Sequence, residues 1–471
     1  MPATESQTLL QTVIQGDYCI GCGVCAAMEN SPFRIALDKI GRYQASADAE
    51  AAGKAGCPVL AVCPFSGEGP DEDAIAKTLY GGDCSYDKNI GYHRATYAGY
   101  VAEGTFRRNG SSGGMGTWIG VELLRRGLVD AVIHVKATAA ASGHPMFAMC
   151  VSRSEEEIRA GAKSRYYPVE MSQVLRDAAS TPGRYAVVGV PCFIKALRRL
   201  ALKEPRFQER IAFCISLICG QLKTTAFAEM MAWQVGVHPD SLASIGFRRK
   251  IKGVPGHYYF TEATGVSGEG SVIEIGADCY GLYNWGGGLL KYNACNYCDD
   301  VVGETADVSL GDAWLPKYLA DSGGTSVIIV RNRKLFDIIE QAKSEGRLHL
   351  DPITAKVVVQ SQAAGFRQRR EDIAYRLFLK DAAGVWRPRK RVAASASSVS
   401  KKRRRIQDLR LQLTPLSHVA FQQAREAGRF EVFEEVLGPL FCQYAKLYHR
   451  PLWRRIVGRL FRELKQRILR R

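Results

Sequence analysis

The sequence predicts an α/β fold: a mixed-sheet core, an N-terminal cysteine-rich module before it and a helical extension after it. Three observations carry that expectation. From Tyr97 to about Arg333, apolar runs of strand length alternate with loops and helical patterns. Eight of the 14 cysteines fall into two sets of four, Cys19, Cys22, Cys25 with Cys63, and Cys192, Cys219, Cys295 with Cys298. The excess of positive charge sits at the C-terminal end.

Residues 1–90 form the first module. Cys19-Ile-Gly-Cys22-Gly-Val-Cys25 and the distant Cys63-Pro64 align with the bacterial two-cluster ferredoxin repeat C-x2-C-x2-C-x3-C-P. In that repeat the last cysteine of each run serves the other cluster. The first run keeps its three leading cysteines but has Glu29-Asn30 where its own Cys-Pro would stand. The second keeps only Cys63-Pro64, with Gly53, Gly56 and Val59 at its leading positions. The losses match: every ligand of one cluster is gone and every ligand of the other remains. Four cysteines also suit zinc, and spacing leaves that alternative open. Cys57 is out of register and reads as a buried thiol.

At 471 residues the chain has room for two or three domains. No apolar run is long enough to span a bilayer. The start, Met1-Pro2-Ala3-Thr4-Glu5-Ser6, lacks the basic and apolar stretches of a secretory signal. Thiolate ligands must stay reduced until a cluster is built, so the cytoplasm is the expected compartment. Of the net charge of +17, one part lies in Arg387 to Arg405, with nine Lys/Arg and no acid. The other lies in Arg450 to Arg471, with nine Lys/Arg and Glu463 as its single acid. The remainder is neutral, which argues against a nucleic-acid-binding core.

Within the core, residues 91–386, Tyr97 to Ala102 reads as extended and Met115 to Arg126 as helical. Ala131 to Val135, Tyr185 to Val190 and Ile211 to Ile218 read as strands. Residues 387–405 are expected to be a basic disordered linker, because Ala-Ala-Ser-Ala-Ser-Ser-Val-Ser beside Lys-Lys-Arg-Arg-Arg offers nothing to a core. Residues 406–471 read as a helical basic tail.

Cys192 follows one apolar strand and Cys219 ends another. Ligands of open α/β sheets collect outside the carboxyl ends of strands, so both thiols point towards one site. Cys295 and Cys298 add a clip from an irregular loop. Taken singly, each is equally readable as a buried or low-pKa thiol. Cys84, Cys150, Cys214, Cys279 and Cys442 have no ligand spacing, and Cys214 belongs on the opposite face of its strand from Cys219.

Asn109-Gly-Ser-Ser-Gly-Gly-Met-Gly116 lies between a strand and a helix. Its glycines let backbone approach a ligand and the helix N-terminus favours anions. It is neither G-x-G-x-x-G nor a P-loop, and a helix cap by Ser112 explains it as well.

Ser112-Gly-Gly-Met-Gly-Thr-Trp through Gly127-Leu-Val-Asp-Ala-Val resembles the opening signature of the coenzyme F420 hydrogenase/dehydrogenase beta-subunit family. Lys163-Ser164-Arg165-Tyr166, Val188-Gly-Val-Pro-Cys192, Cys219-Gly220 and Cys295-x2-Cys298 follow in the family's order. Ala306-Asp-Val-Ser-Leu-Gly-Asp312 and Gly324-Thr-Ser-Val-Ile-Ile-Val-Arg331 complete the set, which spans about residues 15 to 380.

The resemblance implies a flavoprotein core with a ferredoxin-like iron–sulfur module, carrying FAD and two [4Fe-4S] clusters on one polypeptide. Cys19, Cys22, Cys25 and Cys63 would hold one cluster, and Cys192, Cys219, Cys295 and Cys298 the other. Ser111, Ser112, Gly113 and Gly114 would hold FAD, with Lys163, Ser164, Arg165 and Tyr166 on its diphosphate or ring. Asp307 and Asp312 would orient a flavin or substrate group or carry protons, unless they only cap a turn. Relatives include the F420-reducing hydrogenase subunit, a formate dehydrogenase subunit and 7-hydroxymethyl chlorophyll a reductase, and bacterial members often accompany polysaccharide biosynthesis. Arg165, where lysine is usual, and the tail outside the family pattern weigh against use of coenzyme F420 itself.

The function implied is an FAD- and [4Fe-4S]-dependent oxidoreductase passing electrons between a ferredoxin-like donor and an unidentified substrate. The alternatives are an electron-transfer adaptor feeding a partner subunit and a zinc-stabilised scaffold. No catalytic residue is assigned, and His93, His134 and His257, the histidines nearest the motifs, receive no role. In residues 450–471, apolar Trp453, Ile456, Val457, Leu460, Phe461, Leu464 and Ile468 recur at helical spacing among Arg and Lys. That pattern suits a helix on an anionic membrane surface, at the inner face of the membrane, or one docked on the protein's own body. Nucleic acid is the weakest of the three readings.

Overall fold

The apolar runs assemble into one eight-stranded mixed sheet. The computed structural model describes residues 3–54, 56–138, 145–256, 258, 260–266, 270–271 and 285–448. Its strands are β1 Ala95–Val101, β2 Ala131–Ala137, β3 Phe147–Ser152 and β4 Tyr185–Gly189. β5 Ile211–Leu217, β6 Val308–Asp312, β7 Ser326–Val330 and β8 Leu348–Pro352 complete it. Their order is β8-β1-β7-β6-β5-β4-β2-β3. β6, β5, β4 and β2 run parallel. β7 is antiparallel to both β6 and β1, so β1 runs with the parallel set. The carboxyl ends of β1, β6, β5, β4 and β2 therefore share one edge of the sheet, where ligands of such sheets collect.

Both faces are covered, which is why the central strands are near-continuous apolar runs. Period-two alternation divides them. Val132, Ala186, Phe213 and Ile215 pack with Trp118 and Ile119 of helix α1, Met115–Arg125. Ala131, Ile133, Val187 and Cys214 face the other way, onto Phe193 and Leu197 of α2, Pro191–Lys203. Val24, Val62 and Phe65 of the N-terminal module join that second cluster, so the module docks on the α2 face. Cys214 is fully buried there, the core residue that its odd separation from Cys219 predicts.

Helix α3, Thr225–Gln234, carries the C-terminal extension. Phe227, Met230 and Met231 pack against Leu409, Leu413 and Phe421 of α4, Lys401–Ala427, and Phe433 and Phe441 of α5, Glu431–Lys446. The helical reading of the extension holds through Lys446. The basic stretch Trp453 to Ile468 lies outside the described residues. Among the described residues no helix is long and apolar enough to cross a membrane.

The stretch 387–405 departs from the linker expectation. Residues 401–405 open α4. Before them the chain lies against the body as a strap, with Val392 and Ala394 packed on the core. Arg391 is largely covered and bonds Asp73 at 2.8 Å, Glu304 at 2.8 and 2.9 Å, and Asp299 through its backbone N–H at 3.1 Å. Lys390 reaches Asp299 at 3.5 Å. Composition shows only that the strap has little apolar surface of its own. What orders it is buried carboxylate from segments far away in sequence.

Candidate redox centre

The first four cysteines line one cavity, with Tyr18, Ile20, Ile35, Ala45 and Phe65 among its walls. The Cys19–Cys25 loop folds round it through two left-handed glycines, Gly21 at φ +62° and Gly23 at φ +83°. A Cβ on Gly21 would meet the Tyr43 carbonyl at 2.3 Å, and one on Gly23 the Ser172 nitrogen at 2.5 Å. Glycine is required at both by backbone conformation and by close packing. The Gly21 N–H donates to Cys19 Sγ at 3.4 Å. Burial pushes all four thiols above their ordinary pKa. A dry set of thiolates needs a cation between them.

The second four also meet. Cys192, Cys219, Cys295 and Cys298 line a cavity with Pro191, Leu222, Asp300 and Arg369. Cys192 lies in the first turn of α2, just past β4; Cys219 lies just past β5; Cys295 and Cys298 come from the loop before β6. The Leu222 N–H donates to Cys295 Sγ at 3.2 Å. Among the described residues, no group of His, Cys, Asp or Glu side chains is arranged to hold a single metal ion. Each set of thiols lines its own cavity. Ile20 and Phe65 line both cavities. The two sets are thus separated by one shared apolar wall.

Arg369 lines the second cavity, and Lys223 and Lys291 lie near its Cys295. Arg369 donates to the carbonyls of Cys219, Asp300 (3.0 Å) and Gly220 (2.6 Å) from the π-helical turn Arg367–Glu371, a local distortion frequent at functional sites. Lys223 and Lys291 face each other across an isolated antiparallel bridge, 4% and 2% exposed. The Lys223 ammonium donates to the Leu289 carbonyl at 2.6 Å and lies 4.7 Å from the Trp285 ring centre. The Lys291 ammonium donates to Asn296 Oδ1 at 2.6 Å. Among the described residues no carboxylate pairs with any of the three. Burial lowers Lys291 to about 7 and Lys223 well below its ordinary value, with Cys295 opposing both shifts. A buried, unmatched cation costs several kcal/mol. A negatively charged group beside Cys295 would offset it.

The serine–glycine loop and the Lys163–Tyr166 segment come together: the Ser164 N–H donates to Ser111 Oγ at 2.7 Å. The hydroxyl of Ser112 does not cap α1; it donates to the Thr325 carbonyl at 2.8 Å. Gly113 and Gly114 serve close packing. A Cβ on Gly113 would meet the Gly99 carbonyl at 2.5 Å, and one on Gly114 the Phe106 carbonyl at 2.6 Å. The first turn of α1 has no side-chain cap, which leaves its N–H groups for an anion. Lys163 holds φ +83°, a left-handed conformation costly for a non-glycine residue and typical of ligand sites. The buried Nε of Arg165 has no hydrogen-bond partner. These features fit an anionic group such as a diphosphate.

Asp312, the last residue of β6, accepts both terminal nitrogens of Arg248 at 2.9 Å. Tyr166 lies beside this pair: burial raises its pKa, Arg248 opposes the rise, and Asp312 and Cys219 add to it. Its ring packs 4.8 Å from that of Trp285. Tyr166, Arg248 and Asp312 therefore lie together, with Cys219 near the tyrosine. Asp307 does not join them. It lies just before β6, at the opposite end of the strand, and its carboxylate accepts from Arg198 and the Cys214 N–H at 2.7 Å, Asn332 at 3.1 Å and Tyr80 at 3.2 Å. Its role is to tie β5, β6 and the helix Glu72–Tyr80 together. Cys57 is half-buried rather than buried, with its thiol 3.8 Å from the Glu29 carbonyl. His134 bonds Ser152 at 2.8 Å, and burial holds its pKa down to about 4. His257 and Cys279 lie outside the described residues.

Lys223, Arg248, Lys250, Lys291 and Arg369 are not marked by any spacing. Lys250 donates to the carbonyls of Arg107, Ser112 and Gly323 at 2.6, 2.7 and 2.6 Å, and so fastens the serine–glycine loop to the loop before β7.

A mixed α/β sheet with paired thiol cavities at its strand ends has the build of a redox subunit. The chain matches the family described as coenzyme F420 hydrogenase/dehydrogenase, beta subunit, its N-terminal part over residues 96–176 and its C-terminal part over residues 183–356. It belongs to that family. Among solved structures, a chain in a xenon-derivatised F420-reducing [NiFe] hydrogenase complex from Methanosarcina barkeri is 18% identical. The match covers 60% of this chain and 92% of that one, with a TM-score of 0.45. No curated protein matches.

Proposed function

We propose that the chain is an iron–sulfur flavoprotein oxidoreductase that passes electrons from a ferredoxin-like donor or partner subunit, through two [4Fe-4S] clusters, to FAD and an organic substrate. The observation that carries this reading is the pair of four-cysteine cavities sharing Ile20 and Phe65, the second of which adjoins Tyr166, Arg248 and Asp312. When bound, clusters move single electrons and a flavin exchanges them in pairs.

The chain's own residues have distinct tasks in this reading. Cys19, Cys22, Cys25 and Cys63 hold one cluster, and Cys192, Cys219, Cys295 and Cys298 the other. Ile20 and Phe65 exclude water between them. The uncapped start of α1, Lys163 and Arg165 take the FAD diphosphate, while Ser111 and Lys250 hold the loop in shape. The Tyr166 hydroxyl, beside the Arg248–Asp312 pair, is placed to hold a proton near the flavin.

Anaerobic purification tests this. About eight irons and one FAD per chain are expected, two clusters of four irons each being ligated by eight cysteines. A colourless protein carrying zinc would overturn the proposal. Turnover by the isolated chain separates an enzyme from an adaptor that needs its partner.

A further inference from the structure

We infer that Lys223, Lys291 and Arg369 set the reduction potential of the cluster on Cys192, Cys219, Cys295 and Cys298 above that of the cluster on Cys19, Cys22, Cys25 and Cys63, and so give electrons a direction. This rests on the two-cluster reading above.

Reduction adds one negative charge to a cluster, so fixed positive charge nearby favours the reduced form and raises the potential. Net charge and solvent exposure are among the main determinants of cluster potentials. The effect is largest where water is excluded, because low dielectric leaves Coulomb interactions unscreened.

The two cavities differ in this respect. Around the second stand three buried cations whose acceptors are carbonyl and amide oxygens, not carboxylates. Asp300, which lines the cavity, is the opposing acid; Asp299 is matched by Lys390 and Arg391. Around the first, Arg199 donates to the Cys63 carbonyl at 2.5 Å, and Glu170 lies near Cys22 with the opposite sign. Arg42, near Cys19, is bound to Asp17 at 2.5 Å and Asp38 at 2.8 Å. The first cavity is close to balanced, whereas beside the second stand the Arg369 guanidinium and two buried amines, Lys223 and Lys291, that a negative cluster beside Cys295 would hold as cations.

Two like charges facing each other across a bridge are destabilising on their own. Lys223 and Lys291 keep that arrangement because a negative cluster beside Cys295 gives both ammonium groups a partner. The step itself is simple. Cys19, Cys22, Cys25 and Cys63 would hold the cluster that takes one electron from a low-potential one-electron donor, and that cluster would be reoxidised as the one on Cys192, Cys219, Cys295 and Cys298 is reduced. No bond or proton moves.

The test is an anaerobic redox titration of the full-length holoprotein followed by EPR, with Lys291→Gln, Arg369→Gln and Arg369→Lys beside the natural chain. The second cluster should be reduced at the higher potential. Each glutamine variant should shift the electron equilibrium between the clusters at least tenfold towards the first, which is 59 mV for a one-electron couple. The first cluster's potential should stay put, and Arg369→Lys should retain the natural values. If Lys291→Gln does not hold the second cluster, Lys223→Gln reads the same charge from across the bridge. Two clusters with the second at the lower potential, or with potentials that ignore the glutamine variants, would overturn the inference and leave the proposed function standing. Iron for fewer than two clusters in the natural chain would overturn both.

Discussion

The ammonium of Lys390 lies 4.2 Å from the centre of the Phe65 ring, and Phe65 is a wall of both four-cysteine cavities. The strap that composition marks as a linker therefore closes over the gap between the two proposed clusters. Its neighbour Arg391 joins Glu72 and Asp73, downstream of Cys63, to Asp299 and Glu304, downstream of Cys298. One residue thus clamps the N-terminal module to the core.

Arg391→Gln should be strongly destabilising. It leaves Glu72, Asp299 and Glu304 buried without their shared cation, and removing one partner of a buried pair costs about 3–5 kcal/mol. Denaturant unfolding should show that loss. Brief proteolysis should release the N-terminal module from the variant before the sheet is cut. A variant as stable and protease-resistant as the natural chain would contradict the clamp.

The same network has an acid limb. Burial works to raise the pKa of Glu72, but Lys195 at 3.0 Å, with Arg391 and Lys390, outweighs it and holds the carboxyl well below its ordinary 4.5. A carboxyl depressed in the folded state adds stability that is complete above its unfolded pKa and drains as pH falls through the folded one. Stability measured against Glu72→Gln should therefore differ most above about pH 5 and converge as the pH drops. A difference that is flat in pH would show that Glu72 is not ionised by this network.

How much of this was legible follows from how local each feature is. Cys19, Cys22, Cys25 and Cys63 can be aligned with a known ligand register, and strand-end position marks Cys192 and Cys219. Asp307 and Asp312 share one motif, yet the length of β6 puts them at opposite ends of the sheet, and only pairing with β5 and β7 shows which end faces the site. Arg369 acts on Cys219 from 150 residues away, and Lys291 meets Lys223 through a single bridge. Neither contact leaves a periodicity to read. The strap failed as a linker for the same reason: its partners are carboxylates distant in sequence.

The two cysteine sets should be separable. Cys22→Ser should lose about half the iron and keep FAD, because its cavity lies across the Ile20–Phe65 wall from the other set. Cys295→Ala should lose the other half and slow reduction of the flavin by a one-electron donor. Iron analysis with EPR of the reduced protein reads both. Full iron in either variant would remove that cysteine from the ligand set.

Flavin binding calls for a substitution that leaves the sheet intact. Gly113→Val is unsuitable, because even a Cβ there strikes the Gly99 carbonyl and Ser326, and the damage would be to the junction of β1 and β7. Lys250 and Arg165 separate shape from contact. Lys250 is drawn down to about pKa 7 by burial, with Arg248 and Arg107 adding to the shift, yet its ammonium rests on three carbonyls that favour the charged form. Lys250→Met removes three charge-assisted bonds at once, each worth about 1.5–3 kcal/mol when left unmade. It should loosen the loop and lower FAD content. Arg165→Gln removes a guanidinium whose buried Nε has no protein partner, at the loss of one bond to the Ala162 carbonyl and a contact with the Phe147 ring, so it should lower FAD affinity more than stability. Flavin absorbance per chain, set beside the unfolding midpoint, distinguishes the two outcomes. If Arg165→Gln purifies with full FAD while its stability falls, the residue is part of the scaffold and the diphosphate lies elsewhere.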